Sequence, residues 1–254
     1  MPRLAGKVAI VTGGAKGIGM HYSRALAAEG ARVMIADIED GKTLSDEIAR
    51  RHGADSVACA RFDVSDESSV KGLVGDTLAR FGQIDVLVNN AALYSKLTPR
   101  NYDEWDGATW DRVMAINVRG PWLMVRHVAP YMIARKTGKI INIASGAAYK
   151  GVPRMLPYVT SKGAMLAFTR ALSRELGQHG IAVNSLSPGY ILSETGLENS
   201  THVEEERLPV RNSRALKRDG YPEDLLGALV FLASSDSDFV TGQSLVVDGG
   251  SVNN

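Results

Sequence analysis

"KVAIVTGGAKGIG", residues 7–19, is the stretch that decides the fold. Its first half, "KVAIVT", is short, rich in β-branched residues and apolar at nearly every position, the pattern of a strand covered on both faces, as in a parallel sheet. Glycines at 13, 17 and 19 follow at once, and a helical pattern runs on over 18–30. Strand, glycine turn and helix in that order form the first half of a βαβ unit. Gly13, Gly17 and Gly19 allow a tight turn and let a ligand come close to the backbone. The N–H groups at the start of the helix then suit a pyrophosphate. The spacing departs from G-x-G-x-x-G, so the turn alone does not assign a ligand.

The same alternation continues along the chain. Strands are expected at 32–36, 56–61, 84–90, 139–145, 181–187 and 244–248, and helices near 41–52, 66–81, 109–136, 157–179 and 222–234. This predicts right-handed crossovers and an α/β fold: one doubly wound parallel sheet of about seven strands, with helices on both faces. No linker or repeat divides the 254 residues, so 1–254 reads as a single domain. The least periodic stretch, 190–220, is expected to be an irregular lid over the site.

Composition narrows the function classes. A formal net charge of +1 gives no field for nucleic acid or an anionic membrane. The opening "MPRLAGKVAIVTGG" is too short an apolar run for a signal peptide, and no stretch approaches the roughly 18 apolar residues of a membrane span. With Cys59 the only cysteine, a cytoplasmic location is expected. Cys59, His21, His52, His127, His179 and His202 form no ligand-spaced cluster, so no metal is assigned.

Asp37 ends the second strand, 18 residues past Gly19. A carboxylate there accepts hydrogen bonds from an adenosine ribose 2′-OH and repels a 2′-phosphate. Lys16, in the glycine turn, pulls the other way. Asp37 confronts the phosphate directly, so NAD is expected over NADP. Asp63, after the third strand, is a candidate for the adenine edge.

"YVTSK", residues 158–162, puts a phenol and an ammonium one helical turn apart on the same face. Ser145 ends a strand 13 residues before Tyr158, where the carboxyl ends of strands face the ligand crevice. A free tyrosine has a pKa of about 10, so acting as a base near neutrality needs a shift worth about 4 kcal/mol. A positive charge about 4 Å away supplies that much at an effective dielectric of about 20. Tyr158 can then take or give a proton at a hydroxyl while Ser145 holds the substrate oxygen. Asn117, inside a predicted helix where asparagine is a poor former, is expected to break the helix and hold a water beside Lys162. In "SPGYILSE", Pro188 and Gly189 turn the chain after a strand. Backbone at Ile191 and the Ser193 hydroxyl are then expected to grip a nicotinamide carboxamide.

These motifs, in this order, resemble the short-chain dehydrogenase/reductase family over nearly the whole chain: "TGGAKGIG", "NNAA" (89–92), Asn117, Ser145, "YVTSK", "SPGYILS" and "VTGQSLVVDGG". The resemblance implies a Rossmann fold, a nicotinamide cofactor, a catalytic tetrad of Asn117, Ser145, Tyr158 and Lys162, and a homotetramer. Cofactor contacts are expected to extend to Ile18, Val64, Asn90 and Ala91. Ala92 departs from the family's usual glycine, Ser193 from its usual threonine, and Lys16 with Asp37 mixes its two cofactor signals. Leu93, Tyr94, Tyr149, Met155 and Tyr190 are expected to line the substrate pocket with Ser145 and Tyr158. Such a lining favours an apolar or aromatic secondary alcohol or ketone over a polyol, provided Lys96, Lys150 and Arg154 turn to solvent. The alternatives are a 3-oxoacyl thioester reductase using NADPH and a non-catalytic nucleotide-binding scaffold.

Overall fold

In the computed structural model, which describes residues 2–194 and 200–252, each apolar run forms a parallel strand. They are β1 (Val8–Thr12), β2 (Arg32–Asp37), β3 (Val57–Arg61), β4 (Val86–Asn89), β5 (Gly138–Ile143), β6 (Ile181–Pro188) and β7 (Ser244–Val247). They hydrogen-bond in one sheet, in the order β3-β2-β1-β4-β5-β6-β7. β1 therefore lies between β2 and β4 and the winding reverses after β3, so the carboxyl ends of β1 and β4 are where a doubly wound sheet places its ligand crevice.

Helices cover both faces. α1 (Gly17–Ala28), α2 (Lys42–His52) and α9 (Glu223–Ala233) bury Tyr22, Leu26, Ile48, Leu225 and Leu229 against one face. α3 (Glu67–Phe81), α5 (Gly120–Arg135) and α7 (Leu156–Leu176) bury Val70, Leu73, Met124, Val128 and Leu176 against the other. Each large apolar side chain so buried stabilises the fold by about 1.5–3 kcal/mol. α4 (Gly107–Met114), α6 (Ala147–Lys150) and α8 (Ser200–Ser213) are further α-helices among the described residues.

Besides the short α6, which the sequence reading lacks, the structure departs from it in four places. The run 109–136 is not one α-helix: α4 and α5 are joined by a π-helical turn, Ala115–Arg119. The run 157–179 is α7 followed by a 3-10 turn, Gly177–His179. β3 is an edge strand, so Cys59 and Arg61 are exposed instead of covered. The segment 190–220 is not wholly irregular, because it holds α8; residues 195–199 of that expected lid lie outside the described residues. α8 escaped detection because Pro209, a helix breaker, stands inside it among few apolar residues.

Candidate active site

The glycine turn is braced from the neighbouring strand. Thr12 ends β1, and its hydroxyl accepts from the N–H groups of Asn90 and Ala91, both at 3.0 Å. Asn90 Nδ2 donates to the carbonyls of Thr12 and Gly13, both at 2.9 Å. The space left is too small for side chains. A Cβ on Gly13, where φ is +61°, would stand 2.9 Å from the Ala91 Cα, and one on Gly19 would stand 1.9 Å from the Gly13 carbonyl. Among the described residues no side chain caps α1, so its first N–H groups remain for an anion. Asn90, expected to contact the cofactor, acts here as the brace that shapes the cradle. Ala92 takes an ordinary backbone conformation, so glycine is not required there.

Asp37 sits at the end of β2, 8% exposed. Its Oδ2 accepts from the Ala15 N–H at 2.9 Å and its Oδ1 from the Glu39 N–H at 3.1 Å. The carboxylate is thereby fixed to the glycine turn itself. Lys16 pairs with Glu39 at 3.7 Å, so the one cation of the turn already faces a carboxylate. Asp63 is exposed, with Oδ1 accepting from the Ser65 N–H and hydroxyl at 2.8 and 2.7 Å. Val64 is buried next to Gly120, where an added Cβ would meet it at 2.7 Å. Ile18 packs partly buried on the core under α1.

Pro157 opens α7 and sets Tyr158 in its first turn, with Lys162 one turn on. Lys162 is 4% exposed. Its Nζ donates to the carbonyl of Ile143, the last residue of β5, at 2.6 Å, and lies 5.7 Å from the centre of the Tyr158 ring. Ser145, two residues past β5, is buried, and its Oγ accepts from the Ala147 N–H at 3.1 Å. Burial pushes the Tyr158 phenol up to about 12, against the opposing pull of a hydrogen bond with Ser145. Burial pulls the Lys162 ammonium down to about 8. This corrects the electrostatic arithmetic made from sequence. Burial outweighs the lysine at the tyrosine, because desolvation weakens the cation as well as the phenolate, and the ammonium is bonded to Ile143. The tyrosine keeps its proton, and the lysine holds its own less firmly than usual.

Asn117 lies in the π-helical turn, 1% exposed. Its Oδ1 accepts from the Leu93 N–H at 2.7 Å, and its Nδ2 donates to Ser161 Oγ at 3.0 Å. Ser161 in turn donates to the Tyr158 carbonyl at 2.7 Å. The predicted polar break is present, but its amide reaches the loop after β4 and the residue before Lys162. A buried chain missed from the sequence fastens α7 to the sheet. Asn89 Nδ2 donates to Asn142 Oδ1, and Asn142 Nδ2 to Thr169 Oγ1, both at 2.9 Å. The signal was available: asparagine interrupts the apolar runs "VLVNN" and "IINIAS".

Around Tyr158 the surface is apolar. Leu93, Trp105, Val113, Met155 and Val159 cluster with it, and the Tyr94 ring stands 4.7 Å away, tilted by 44°. Trp105 was not anticipated. Tyr149 is half-buried, its hydroxyl without a partner among the described residues. Lys150 reaches Ser213 at 3.3 Å and also Ser251, Arg154 donates to the Pro99 carbonyl at 3.3 Å, and Lys96 is exposed. Across the crevice, Pro188 accepts from the Gly146 N–H at 2.8 Å, and Gly189 donates to the Val247 carbonyl at 3.0 Å. Ile191 forms a bridge with Gly220, and the Ser193 N–H donates to the Ile191 carbonyl at 3.0 Å.

Comparison with known proteins bears on this arrangement. A family profile described as "Enoyl-(Acyl carrier protein) reductase" matches residues 13–252. The galactitol 2-dehydrogenase of Agrobacterium fabrum is 37% identical over 257 residues, covering 98% of this chain and 98% of the relative. The (+)-borneol dehydrogenase 2 of Salvia officinalis is 36% identical over 258 residues, covering 98% of this chain and 90% of the relative. The crystal structure of levodione reductase superposes with a TM-score of 0.87 at 28% identity, covering 97% of this chain and 98% of that one.

Proposed function

The chain belongs to the short-chain dehydrogenase/reductase family, oxidoreductases that pass hydride between an alcohol and a ketone, and on that premise we propose a secondary-alcohol dehydrogenase that uses NAD(H), with Tyr158 as its proton carrier. The observation that carries the reading is the meeting of Tyr158, Ser145 and Lys162 at the carboxyl end of β5, beside a glycine cradle that only backbone can line.

A bound nicotinamide supplies the hydride acceptor or donor. The residues present fit such a group. The cradle of Gly13 to Gly19 offers N–H groups to a pyrophosphate, and Asp37 retains lone pairs for a ribose hydroxyl beside its two backbone bonds. Lys16 pairs with Glu39 at 3.7 Å, which places a second carboxylate beside the turn and supports a ribose without a 2′-phosphate. NAD is therefore favoured over NADP.

In reduction, Tyr158 gives its proton to the substrate oxygen while Ser145 donates a hydrogen bond to the same oxygen. The resulting phenolate is stabilised by the neighbouring ammonium of Lys162. In oxidation, Tyr158 must first lose its proton, so the Lys162 charge and the bound substrate have to overcome the desolvation that holds the phenol protonated. Asn117 and Ser161 fix the first turn of α7, and with it the Tyr158 hydroxyl.

The apolar setting of Tyr158, with Lys150 and Arg154 bonded elsewhere, supports an apolar or aromatic substrate, in keeping with the borneol relative more than the galactitol one. Half-exposed Trp122 and Tyr131 on α5 and partly buried Leu166 on α7 support association through these helices into a homotetramer. The region from Tyr190 to Gly220 serves as the lid of a single catalytic domain. No described helix is long and apolar enough to cross a membrane, and a cytoplasmic location is proposed. The test is a panel of apolar secondary alcohols, polyols and 3-oxoacyl thioesters with each cofactor, read by NADH or NADPH absorbance. An apolar alcohol with NAD should have the highest kcat/KM. A thioester turned over best with NADPH would replace this reading, and no turnover with tight NADH binding would favour a nucleotide-binding scaffold.

A further inference from the structure

Arg214 follows α8 and is only 3% exposed. A guanidinium cannot shed its charge in a protein, so taking it out of water costs several kcal/mol unless its donors are well used. Here Nη1 and Nη2 go to backbone, while Nε is buried without a partner among the described residues. Nη2 donates to the Tyr190 carbonyl at 2.5 Å, and Nη1 to the Arg218 carbonyl at 2.8 Å. These carbonyls belong to the two ends of the 190–220 segment. One planar fork thus closes the base of that segment.

The fork is itself held. The Ala215 and Leu216 N–H groups donate to Gly250 and Gly249 at 3.3 and 2.9 Å, so the stretch around Arg214 is laced to the chain after β7. Beside it, Leu192 N–H donates to the Gly220 carbonyl at 2.9 Å, and Ile191 bridges to Gly220. A Cβ on Gly220 would meet Ile191 Cδ1 at 2.9 Å, the Tyr190 carbonyl at 3.4 Å and Arg214 Nη2 at 3.5 Å, so the assembly is closely packed. Arg214, Ile191 and Gly220 line one cavity of about 150 Å3, on which Asp248 also borders.

We propose that Arg214 is a positioning residue for the nicotinamide half of the cofactor site, acting through the backbone of Tyr190 and Ile191, which it ties to the β7 end of the sheet. Its Nη1 and Nη2 are given to protein carbonyls, so it would act on the cofactor through that backbone. The inference rests on the nicotinamide reading above and extends it to a residue that none of the cofactor motifs contains. Lysine replaces it only in part, because a single ammonium on a flexible stem does not hold two carbonyls in a fixed plane.

The test compares binding of NADH with binding of ADP-ribose, which lacks the nicotinamide, by calorimetry. Arg214→Met should weaken NADH by about tenfold or more, the usual scale for losing charge-assisted hydrogen bonds, while ADP-ribose changes by less than about twofold. Arg214→Lys should fall between wild type and Arg214→Met. Gly220→Ala, which leaves the guanidinium in place and wedges the same ladder, should also weaken NADH selectively. Equal loss of both ligands, or failure of both Arg214→Met and Gly220→Ala to fold, would overturn the proposal by assigning Arg214 to the fold as a whole, and no loss of either ligand would overturn it by showing that Arg214 does not act on the site. Wild type that binds ADP-ribose but not NADH would instead overturn the cofactor reading beneath it.

Discussion

Replacing Lys162 by methionine should make the protein's stability less sensitive to alkaline pH, by an amount the structure sets. Burial holds the folded-state ammonium at about 8, against an ordinary value of 10.5. A difference of about 2.5 pK units corresponds to about 3 kcal/mol. Below pH 8 both folded and unfolded chains carry the proton, and the fold bears the full cost of a buried charge. Between pH 8 and 10.5 the unfolded chain keeps a proton that the folded chain has released, so stability rises with pH through that window. The methionine variant has no such group. Its own stability is set by the lost ammonium and by the Ile143 carbonyl left without its 2.6 Å partner, two effects of opposite sign. Both are constant with pH, so the difference between the two proteins isolates the titration. From pH 7.5 to 10.5, wild type should gain about 3 kcal/mol relative to Lys162→Met. For a chain of this size that is a relative Tm change of about 6–12 °C. Thermal unfolding by circular dichroism across that range measures it. Parallel curves for the two proteins would refute the reasoning, because they would mean Lys162 is hydrated in the fold.

Two further outcomes follow from the same site. The kcat/KM for ketone reduction should fall above pH 8 as the free enzyme loses the Lys162 proton, with Tyr158 still protonated at that pH; a fall first appearing above pH 10 would assign the titration to another group. Asp37→Ser should shift the NADPH to NADH affinity ratio by about tenfold or more toward NADPH, and should also weaken NADH, since the bonds to Ala15 and Glu39 N–H are lost; an unchanged ratio would show that the ribose lies elsewhere.

The sheet was legible because strands buried on both faces are apolar throughout, a signal that does not depend on distant contacts. β3 shows the limit: "SVACAR" reads like the others, and only its place at the sheet edge exposes Cys59 and Arg61. Tyr158 and Lys162 could be paired from sequence because a helical turn fixes their spacing, and Ser145 because a strand end faces the crevice. Their protonation was not legible, since desolvation depends on what packs around them. Asn117 was identified as a break in a helix, yet its partners, Leu93 and Ser161, are set by how the loop after β4 meets α7. Arg214 gave no signal at all: in "RNSRALKRDGY" it looks like one surface cation among several, and only folding carries it inside to the Tyr190 carbonyl.

In the proposed reaction, hydride passes between a secondary alcohol and the nicotinamide while Tyr158 carries the proton. A single turnover with NAD and an apolar secondary alcohol deuterated at its carbinol carbon tests it most directly, with the product dinucleotide read by mass spectrometry. One deuterium is expected in the NADH formed by wild type, and no NADH from a folded Tyr158→Phe that still binds the cofactor. Deuterium released to water, or labelled NADH from Tyr158→Phe at a tenth of the wild-type rate or more, would contradict it.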